Sequence, residues 1–280
     1  MNDTTGTLVA SGYADPKTQI GCIFGTGCNA AYMEKVGKIP KIAHLNLDPN
    51  MDMAINCEWG AFDNEHIVLP MTKYDIQIDK TSPRPGQQAF EKMVAGLYLG
   101  ELFRLVLVDL HEDREVHIFE GQDIKKLQKP FSLDASVLAQ IESDPWENLS
   151  ETESLFLEKL DLKADKGELE LIRKLSELIG TRAARLSACG IAAIARKRGL
   201  ESCHVGADGS VFNKYPNFKN RMAAALREIL DWSANKAGEE DPITVWPAED
   251  GSGVGAALIA ALTDKRIKAG NYAGIKHKPT

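Results

Sequence analysis

The amino-acid sequence predicts an α/β fold in which glycine-rich turns connect strands to helices. The first third contains short apolar runs that are typical of strands, within residues 18–24, 30–33 and 53–57. In the last third, a strand, a glycine-rich turn and a helix follow one another twice, beginning near residues 201 and 243. Ligand sites of α/β proteins gather at such turns, so we expect the functional residues there.

The composition is that of an ordinary globular protein. Of 280 residues, 44% are hydrophobic and 26% are charged, which excludes a disordered or fibrous chain. The net charge of −7 gives no polybasic footprint for nucleic acid or for an anionic membrane surface. We therefore predict small-molecule ligands, with no nucleic-acid partner.

Several site classes have no support in the sequence. There is no run of 18 apolar residues and no signal-peptide pattern at the start, so we expect no membrane span. The five cysteines form no CxxC pair, which predicts reduced thiols and a cytoplasmic location. The histidines lack HxxxH spacing and no GxSxG elbow occurs, which excludes a protein-only zinc site and a serine hydrolase.

The middle of the chain is predicted to be helical. Apolar residues at spacings of three or four predict one helix over 85–110, and Ser132 to Asp134 marks another helix entry. Residues 150–153 fit a capping box. The longest pattern runs from about 165 to 198, where Gly180 and Gly190 indicate close packing or a break. Helices over 217–232 and 254–262 follow, and then a basic tail over 266–280.

Three glycine-rich turns could bring backbone N–H groups to an anion, at residues 25–27, 206–210 and 251–255. A helix after the turn adds its positive dipole end. None is a Walker A loop, and none has convincing Rossmann spacing. Each turn taken alone fits a structural turn as well as a nucleotide site.

A set of polar residues interrupts the apolar patterning at predicted strand ends and helix starts. An amide both donates and accepts hydrogen bonds, and a carboxylate accepts from two hydroxyls, so such a set suits a polyol. Helix capping and surface solvation are the better explanation of each residue when it is taken singly. The set comprises Asn2, Asp3, Asn29, Glu58, Gln87, Gln88 and Glu91.

Six segments of the chain carry long and specific motifs. They are NDTTGTL (2–8), IFGTGCNAAY (23–32), INCEWGAFDNEH (55–66), SPRPGQQAFEKMVAGLYLGELFR (82–104), GADGSVFNKYPNF (206–218) and GSGVGAAL (251–258). These segments resemble the large domain of eukaryotic hexokinases, most closely those of the fungal type. The resemblance implies the actin-like, ribonuclease-H-like ATPase fold, with two domains that close over a sugar and ATP. It also implies a phosphotransferase with an alcohol group as acceptor, acting on glucose, mannose and fructose in glycolysis.

The resemblance implies a role for individual residues. Asp3 corresponds to the catalytic base that takes the proton of the sugar 6-hydroxyl. ATP is expected with Mg²⁺ held mostly by its phosphates and water. The expected sugar-binding residues are Asn2, Asn29, Glu58, Gln88 and Glu91. The expected nucleotide-binding residues are Thr26, Gly27, Thr181, Gly206, Asp208, Gly209, Ser210, Gly251 and Ser252.

The resemblance also implies a small domain with an Asp-x-Gly-Gly-Thr phosphate loop, which these 280 residues do not contain. We assign residues 1–265 to the large domain and expect very weak or no kinase activity from this polypeptide by itself, because the cleft cannot close. Two alternatives remain open. One is a non-catalytic sugar sensor or regulatory subunit; the other is a filament-forming actin-like protein, which has no need of the polar set.

Overall fold

The computed structural model describes residues 2–113, 115–232, 240–248, 251–270 and 272. The strands of these residues form one five-stranded sheet with the order β3-β2-β1-β4-β5. The sheet mixes both strand directions, and this confirms the predicted α/β class. The strands are β1 (Thr18–Phe24), β2 (Cys28–Lys35), β3 (Asp52–Asn56), β4 (Cys203–Asp208) and β5 (Ile243–Pro247).

The strand directions bring the predicted turns to one edge of the sheet. Strands β1, β2 and β3 pair antiparallel, whereas β4 and β5 run parallel to β1. Parallel strands need long crossover connections, and helices provide them here. The carboxyl ends of β1, β4 and β5 therefore share an edge, where the turn after each strand leads onward.

Helices cover both faces of the sheet. They are α1 (Asp3–Ala14), α2 (Lys73–Thr81), α3 (Ala89–Val94), α4 (Gly96–Glu112), α5 (Lys125–Gln128), α6 (Ala135–Ser143), α7 (Ser150–Leu160), α8 (Lys166–Arg198), α9 (Ser210–Lys214), α10 (Phe218–Ile229) and α11 (Gly251–Lys268). Short 3₁₀ helices lie at Val36–Lys38, Pro40–Leu45 and Trp59–Ala61.

Strand β1 is the centre of the hydrophobic core because both of its faces are covered. Ile20, Cys22 and Phe24 are almost fully buried, which explains why β1 reads as a continuous apolar run. On one face α1 lies so close that a Cβ at Gly21 would approach the backbone N of Leu8 to 2.6 Å. Helix α1 in turn packs against α11, where a Cβ at Gly255 would collide with the backbone of Gly6.

Helix α8 is the long core helix that the sequence predicts. Asp165 and Glu168 form a capping box at its start, and Gly199 ends it in the left-handed conformation. Gly180 and Gly190 mark close packing and not a break, since their Cα atoms face the rings of Tyr215 and Trp59. Among the described residues, α8 alone has the length and composition of a membrane span, but 56% of its most apolar window is buried inside the domain. A core position therefore accounts for its apolar character.

The predicted helix over 85–110 is two helices, and the break between them shapes the site. Ala95 is extended (φ −82°, ψ 144°), and Gly96 N donates to Gly25 O at 2.8 Å. A tertiary hydrogen bond to the first glycine turn thus interrupts the helix, although apolar spacing continues across it. Helix α3 becomes a separate short element beside that turn.

Other expectations about helix ends are wrong. No capping box forms at Ser150, because Leu149 is the N-cap residue and Asp144 accepts from Thr152 N and Oγ1 at 2.8 Å each. Helix α1, which we did not predict, covers the polar residues at the start of the chain. Helix α11 begins at Gly251, not near 254, and continues to Lys268, past the expected helix end at 262. Residues 273–280 of the expected tail lie outside the described residues.

We predict that Gly21→Ala destabilises the domain by about 1–3 kcal/mol, because the new methyl group must push α1 away from the sheet. Gly12→Ala is the matched control. Gly12 lies within α1, and a Cβ there would contact only Thr18 O, at 3.8 Å. The substitution should therefore stabilise the domain by roughly 0.5–1 kcal/mol, because alanine favours a helix more than glycine does. Urea unfolding of the two variants measures the difference, and equal stabilities would contradict the close approach of α1 to β1.

Candidate functional site

The start of α1 brings Asn2 and Asp3 to the edge of the sheet. Asn2 caps the helix, since its Oδ1 accepts from Thr4 N at 2.9 Å, and its Nδ2 donates to Glu58 Oε1 at 3.3 Å. Asp3 is the first helical residue and is exposed. Its carboxylate makes no hydrogen bond within the part of the chain that the structure describes. Its oxygens are therefore accessible to a ligand.

A chain of amide hydrogen bonds joins Glu58 to Asn29 across two strands. Asn56, the last residue of β3, donates from Nδ2 to Glu58 Oε1 at 2.5 Å and accepts from Asn29 Nδ2 at 2.7 Å. Asn29 Oδ1 accepts from the backbone N of Ala30 at 2.8 Å. The hydrogen bonds therefore place Asn2, Glu58, Asn56 and Asn29 in one continuous cluster.

Glu58 and Gln88 both have left-handed backbones, with φ of 51° and 57°. Such residues carry conformational strain of about 1–3 kcal/mol that the surrounding structure must hold in place. Trp59, next to Glu58, is held between the rings of Phe24 and Phe90, with centroids 6.0 and 5.9 Å away. This packing maintains the turn that presents Glu58.

Helix α3 adds Glu91 and Gln88 to the same region. Glu91 Oε2 accepts from the backbone N of Cys28 at 2.9 Å, directly beside Asn29. Gly27 leaves room for this carboxylate, since a Cβ there would lie 2.7 Å from Glu91 Oε2. Gln88 Oε1 lies against Gly60 in the turn after Glu58. Helix α3 therefore contacts both sides of the amide cluster.

A buried ion pair holds the loop in front of α3. Lys92 and Asp79 are 4% and 6% exposed, and Lys92 Nζ lies 2.7 Å from Asp79 Oδ1. Lys92 Nζ also donates to Arg84 O at 2.7 Å, and Asp79 accepts from Gly86 N. Burial opposes ionisation of Asp79, but the hydrogen bonds from Lys92 and Gly86 outweigh it and lower the pKa of this carboxyl. The pair thus fixes residues 84–86, just ahead of Gln88.

The first two glycine turns lie side by side at the carboxyl ends of β1 and β4. Ile23 pairs with Asp208 on one side and with Asn29 on the other. A Cβ at Gly25 would lie 3.6 Å from Gly209 Cα, and Gly209 has a φ of 112° that requires glycine. Asp208 Oδ1 accepts from Gly209 N and Asn213 Nδ2. Thr26, Gly27 and Ser210 therefore share this edge, and Thr26 and Ser210 are exposed.

Four other predicted nucleotide residues lie in different surroundings. Gly206 lies against Ser11 of α1. Gly251 and Ser252 form the first turn of α11, and Gly251 is buried against Thr7. The expected third glycine turn is therefore helical, and its Gly251 and Gly255 make room for α1. Thr181 follows Gly180, and the Tyr215 ring packed on Gly180 connects this part of α8 to the segment after α9.

The electrostatic setting of the cluster is acidic. Asp3, Glu58 and Glu91 form no ion pair with a lysine or arginine of the described ranges. Amide groups donate to Glu58, and a backbone N–H donates to Glu91. Burial, together with the Glu91 carboxylate, raises the pKa of the Cys28 thiol well above its ordinary value, so Cys28 stays protonated. All five cysteines are free thiols, as predicted. Within the described residues, no group of three or more His, Cys, Asp and Glu side chains could hold a metal ion.

Comparison with known proteins identifies the family. The hexokinase family model matches residues 19–262. The chain belongs to the hexokinase family. It is 67% identical to a hexokinase of Emericella nidulans over 276 residues, covering 99% of this chain and 56% of that protein. It is 55% identical to hexokinase-2 of Saccharomyces cerevisiae, covering 98% of this chain and 57% of that protein. The chain thus spans about half the length of the curated relatives it matches.

Solved hexokinase structures have the same architecture. A hexokinase from Schistosoma mansoni complexed with glucose superposes with a TM-score of 0.81 at 34% identity, covering 94% of this chain and 57% of that chain. A second hexokinase structure gives a TM-score of 0.75 at 31% identity, covering 94% of this chain and 54% of that one. The actin-like, ribonuclease-H-like ATPase fold expected from the resemblance is confirmed.

Sequence reasoning missed three residues of this candidate site: Asn56, Asp79 and Lys92. Asn56 carried a signal, since it is a polar residue at a strand end two positions before Glu58. Asp79 and Lys92 carried none, because a buried pair 13 residues apart looks like two surface charges in a sequence. Only the folded loop shows that they face each other.

We predict that Glu58→Gln weakens glucose binding by roughly 10- to 100-fold, because a charge-assisted hydrogen bond becomes a neutral one. Isothermal titration calorimetry with glucose measures the change. Glu65→Gln, on an exposed residue of the following loop, is the matched control and should bind like the unaltered protein. Equal heats for Glu58→Gln and the control would contradict the assignment of Glu58 to the sugar.

We predict that Lys92→Met lowers the free energy of unfolding by about 3–5 kcal/mol, because Asp79 remains as a buried, unpaired charge. Lys73→Met is the control, since it removes an exposed pair with Asp109 worth about 0–1 kcal/mol. Denaturant unfolding at pH 7 measures the free energy of unfolding of both variants. Similar decreases in the two variants would contradict a buried ion pair between Lys92 and Asp79.

The same pair predicts a pH dependence of stability. The pKa of Asp79 is lowered in the folded state. Its contribution is therefore fully present above the unfolded-state value of about 3.9 and is lost as pH falls through the lower folded-state value. The stability difference between the unaltered protein and Lys92→Met should shrink below about pH 4, and a constant difference down to the acid transition would contradict this.

Proposed function

We propose that the protein transfers the γ-phosphoryl group of ATP to the 6-hydroxyl of a hexose. The observation that carries the proposal is the convergence of Asn2, Asn29, Glu58 and Glu91 beside the two glycine turns at the ends of β1 and β4. Membership of the hexokinase family supports the same conclusion. Glucose is the first candidate substrate, because the Schistosoma mansoni hexokinase is complexed with it, and mannose and fructose are further candidates.

The cluster suits a sugar because it leaves both hydrogen-bond donors and hydrogen-bond acceptors for a ligand. Glu58 Oε1 accepts two amide hydrogen bonds, which leaves Oε2 to accept from a hydroxyl. Asn29 Nδ2 keeps one hydrogen to donate, and Glu91 Oε1 is a further acceptor. The hydroxyl groups of a pyranose both donate and accept hydrogen bonds, so these donors and acceptors of the cluster can fix the orientation of the sugar.

Asp3 is the proposed catalytic base. Its carboxylate is free of hydrogen bonds to the described residues and adjoins Asn2, whose amide donates to Glu58. A sugar bound by Glu58 would therefore bring a hydroxyl to Asp3. The carboxylate accepts the proton of the attacking 6-hydroxyl as the new P–O bond forms, and the bond to the ADP leaving group breaks.

The proposed nucleotide site is the edge formed by the two glycine turns. Backbone N–H groups of Thr26 and Gly27 would face the phosphates, while residues 206–210 and Thr181 would line the adenosine side. Gly251 and Ser252, at the start of α11, would contribute the positive end of that helix. Mg²⁺ enters as part of the ATP complex, bound mostly by phosphate oxygens and water, where it neutralises charge on the transferring group.

We predict that Asp3→Asn lowers kcat for glucose phosphorylation by roughly 10²- to 10⁴-fold, the usual contribution of a general base. Glucose affinity should change far less, because the amide cluster remains. Asp231→Asn, at an exposed position beyond α10, is the control. A coupled assay of glucose 6-phosphate formation by a version of this protein that also carries a hexokinase small domain, with calorimetry beside it, makes the measurement.

The outcomes separate the alternatives. Unchanged kcat in Asp3→Asn would contradict the role of Asp3. Glucose binding without turnover in the unaltered protein would favour the sugar-sensor alternative over the kinase.

A further inference from the structure

We propose that Asn56 is a positioning residue that presents Asn29 and Glu58 to the hexose. The inference rests on the proposed function, since it concerns the same sugar site. Asn56 links the amide chain, because its side chain forms hydrogen bonds to Asn29 and to Glu58 at the same time. It is placed to act on the sugar through these two residues.

The chain of hydrogen bonds has only one consistent direction. At one end, the backbone N–H of Ala30 can only donate, so the Oδ1 of Asn29 must face it. The Nδ2 of Asn29 then faces Asn56, which must present its oxygen. The Nδ2 of Asn56 in turn faces Glu58, whose carboxylate can only accept. A backbone donor and a carboxylate acceptor thus determine the orientation of both amides.

This direction decides which atoms remain for a ligand. Turning either amide over would oppose donor to donor or acceptor to acceptor, and would lose two hydrogen bonds. With the amides as they are, Glu58 Oε1 is occupied by Asn56 and Asn2, and Oε2 is left over. One hydrogen of Asn29 Nδ2 is left over as well. Asn56 therefore sets one acceptor and one donor at a constant separation.

Glu58 needs such a partner because its surroundings give it little support. Its side chain is exposed and its backbone is left-handed. An unrestrained glutamate loses rotamer entropy when a ligand immobilises it. Asn56 restrains the carboxylate before the sugar arrives, which raises affinity through preorganisation. Asn56 is itself fixed by β3, where its backbone pairs with Ala31 of β2.

Asn56→Asp tests the direction of the chain. The new carboxylate can still accept from Asn29, but it faces Glu58 with a second negative charge in place of a donor. Asp3 and Glu91 are the other titratable groups of the site, and both are acidic. We expect glucose affinity at pH 8 to fall at least about 10-fold. Affinity should recover toward pH 5, because a proton shared between the two carboxylates restores the bridge.

Two further variants complete the experiment. Asn56→Ala removes both hydrogen bonds and should lose roughly 10-fold in affinity at every pH, without recovery at low pH. Asn50→Asp introduces the same charge at an exposed position just before β3, and should bind like the unaltered protein. Thermal unfolding midpoints of all variants should stay close together, because Asn56 is exposed.

Calorimetry with glucose between pH 5 and pH 8 gives a decisive result in each case. Recovery at low pH in Asn56→Asp alone supports the positioning role, since a merely destabilised protein would not regain affinity as it is acidified. Glucose binding by Asn56→Asp that equals the control at pH 8 would overturn the role of Asn56 and leave the proposed function intact. Absence of glucose binding in the unaltered protein would overturn both.

Discussion

The pairing of β1 with strands on both sides is the constraint on which the site depends. In one row across the sheet, Asp208, Ile23 and Asn29 are neighbours on β4, β1 and β2. Adjacent strands lie about 4.8 Å apart, so the glycine turn after β4 and the polar residues of β2 are separated by two strand spacings. A slip of one residue in β2 would send Asn29 to the opposite face, and the amide chain could not form.

Helices bring the remaining groups to this row, each through a specific close contact. Gly96 reaches Gly25 with a backbone hydrogen bond, which ends α3 early and places Glu91 beside Cys28. Helix α1 lies on β1 over Gly21, and its capping residue Asn2 reaches Glu58. Side chains held by strands and helices keep their geometry better than side chains on free loops. Contacts within the fold therefore hold the cluster together.

Sequence patterns predicted the elements that depend on local periodicity and missed those that depend on distant partners. Strand β1 and helix α8 were predicted almost to the residue, because burial on both faces and a long apolar face leave strong patterns. The break at Ala95 was missed, since a hydrogen bond from Gly96 to a distant turn causes it. Asn29, Glu58 and Glu91 were singled out as polar residues at strand ends and helix starts, and the family resemblance implied their individual roles. Asn56 and the Asp79–Lys92 pair became visible only when the chain was folded.

The left-handed backbones of Glu58 and Gln88 have a consequence for protein engineering. Glycine at either position would relieve the strain and remove a group proposed to hold the sugar. A screen for thermal tolerance alone would therefore select substitutions here that trade ligand affinity for robustness. Evolution toward heat resistance in this domain must proceed at other positions, and relatives adapted to high temperature should retain both side chains.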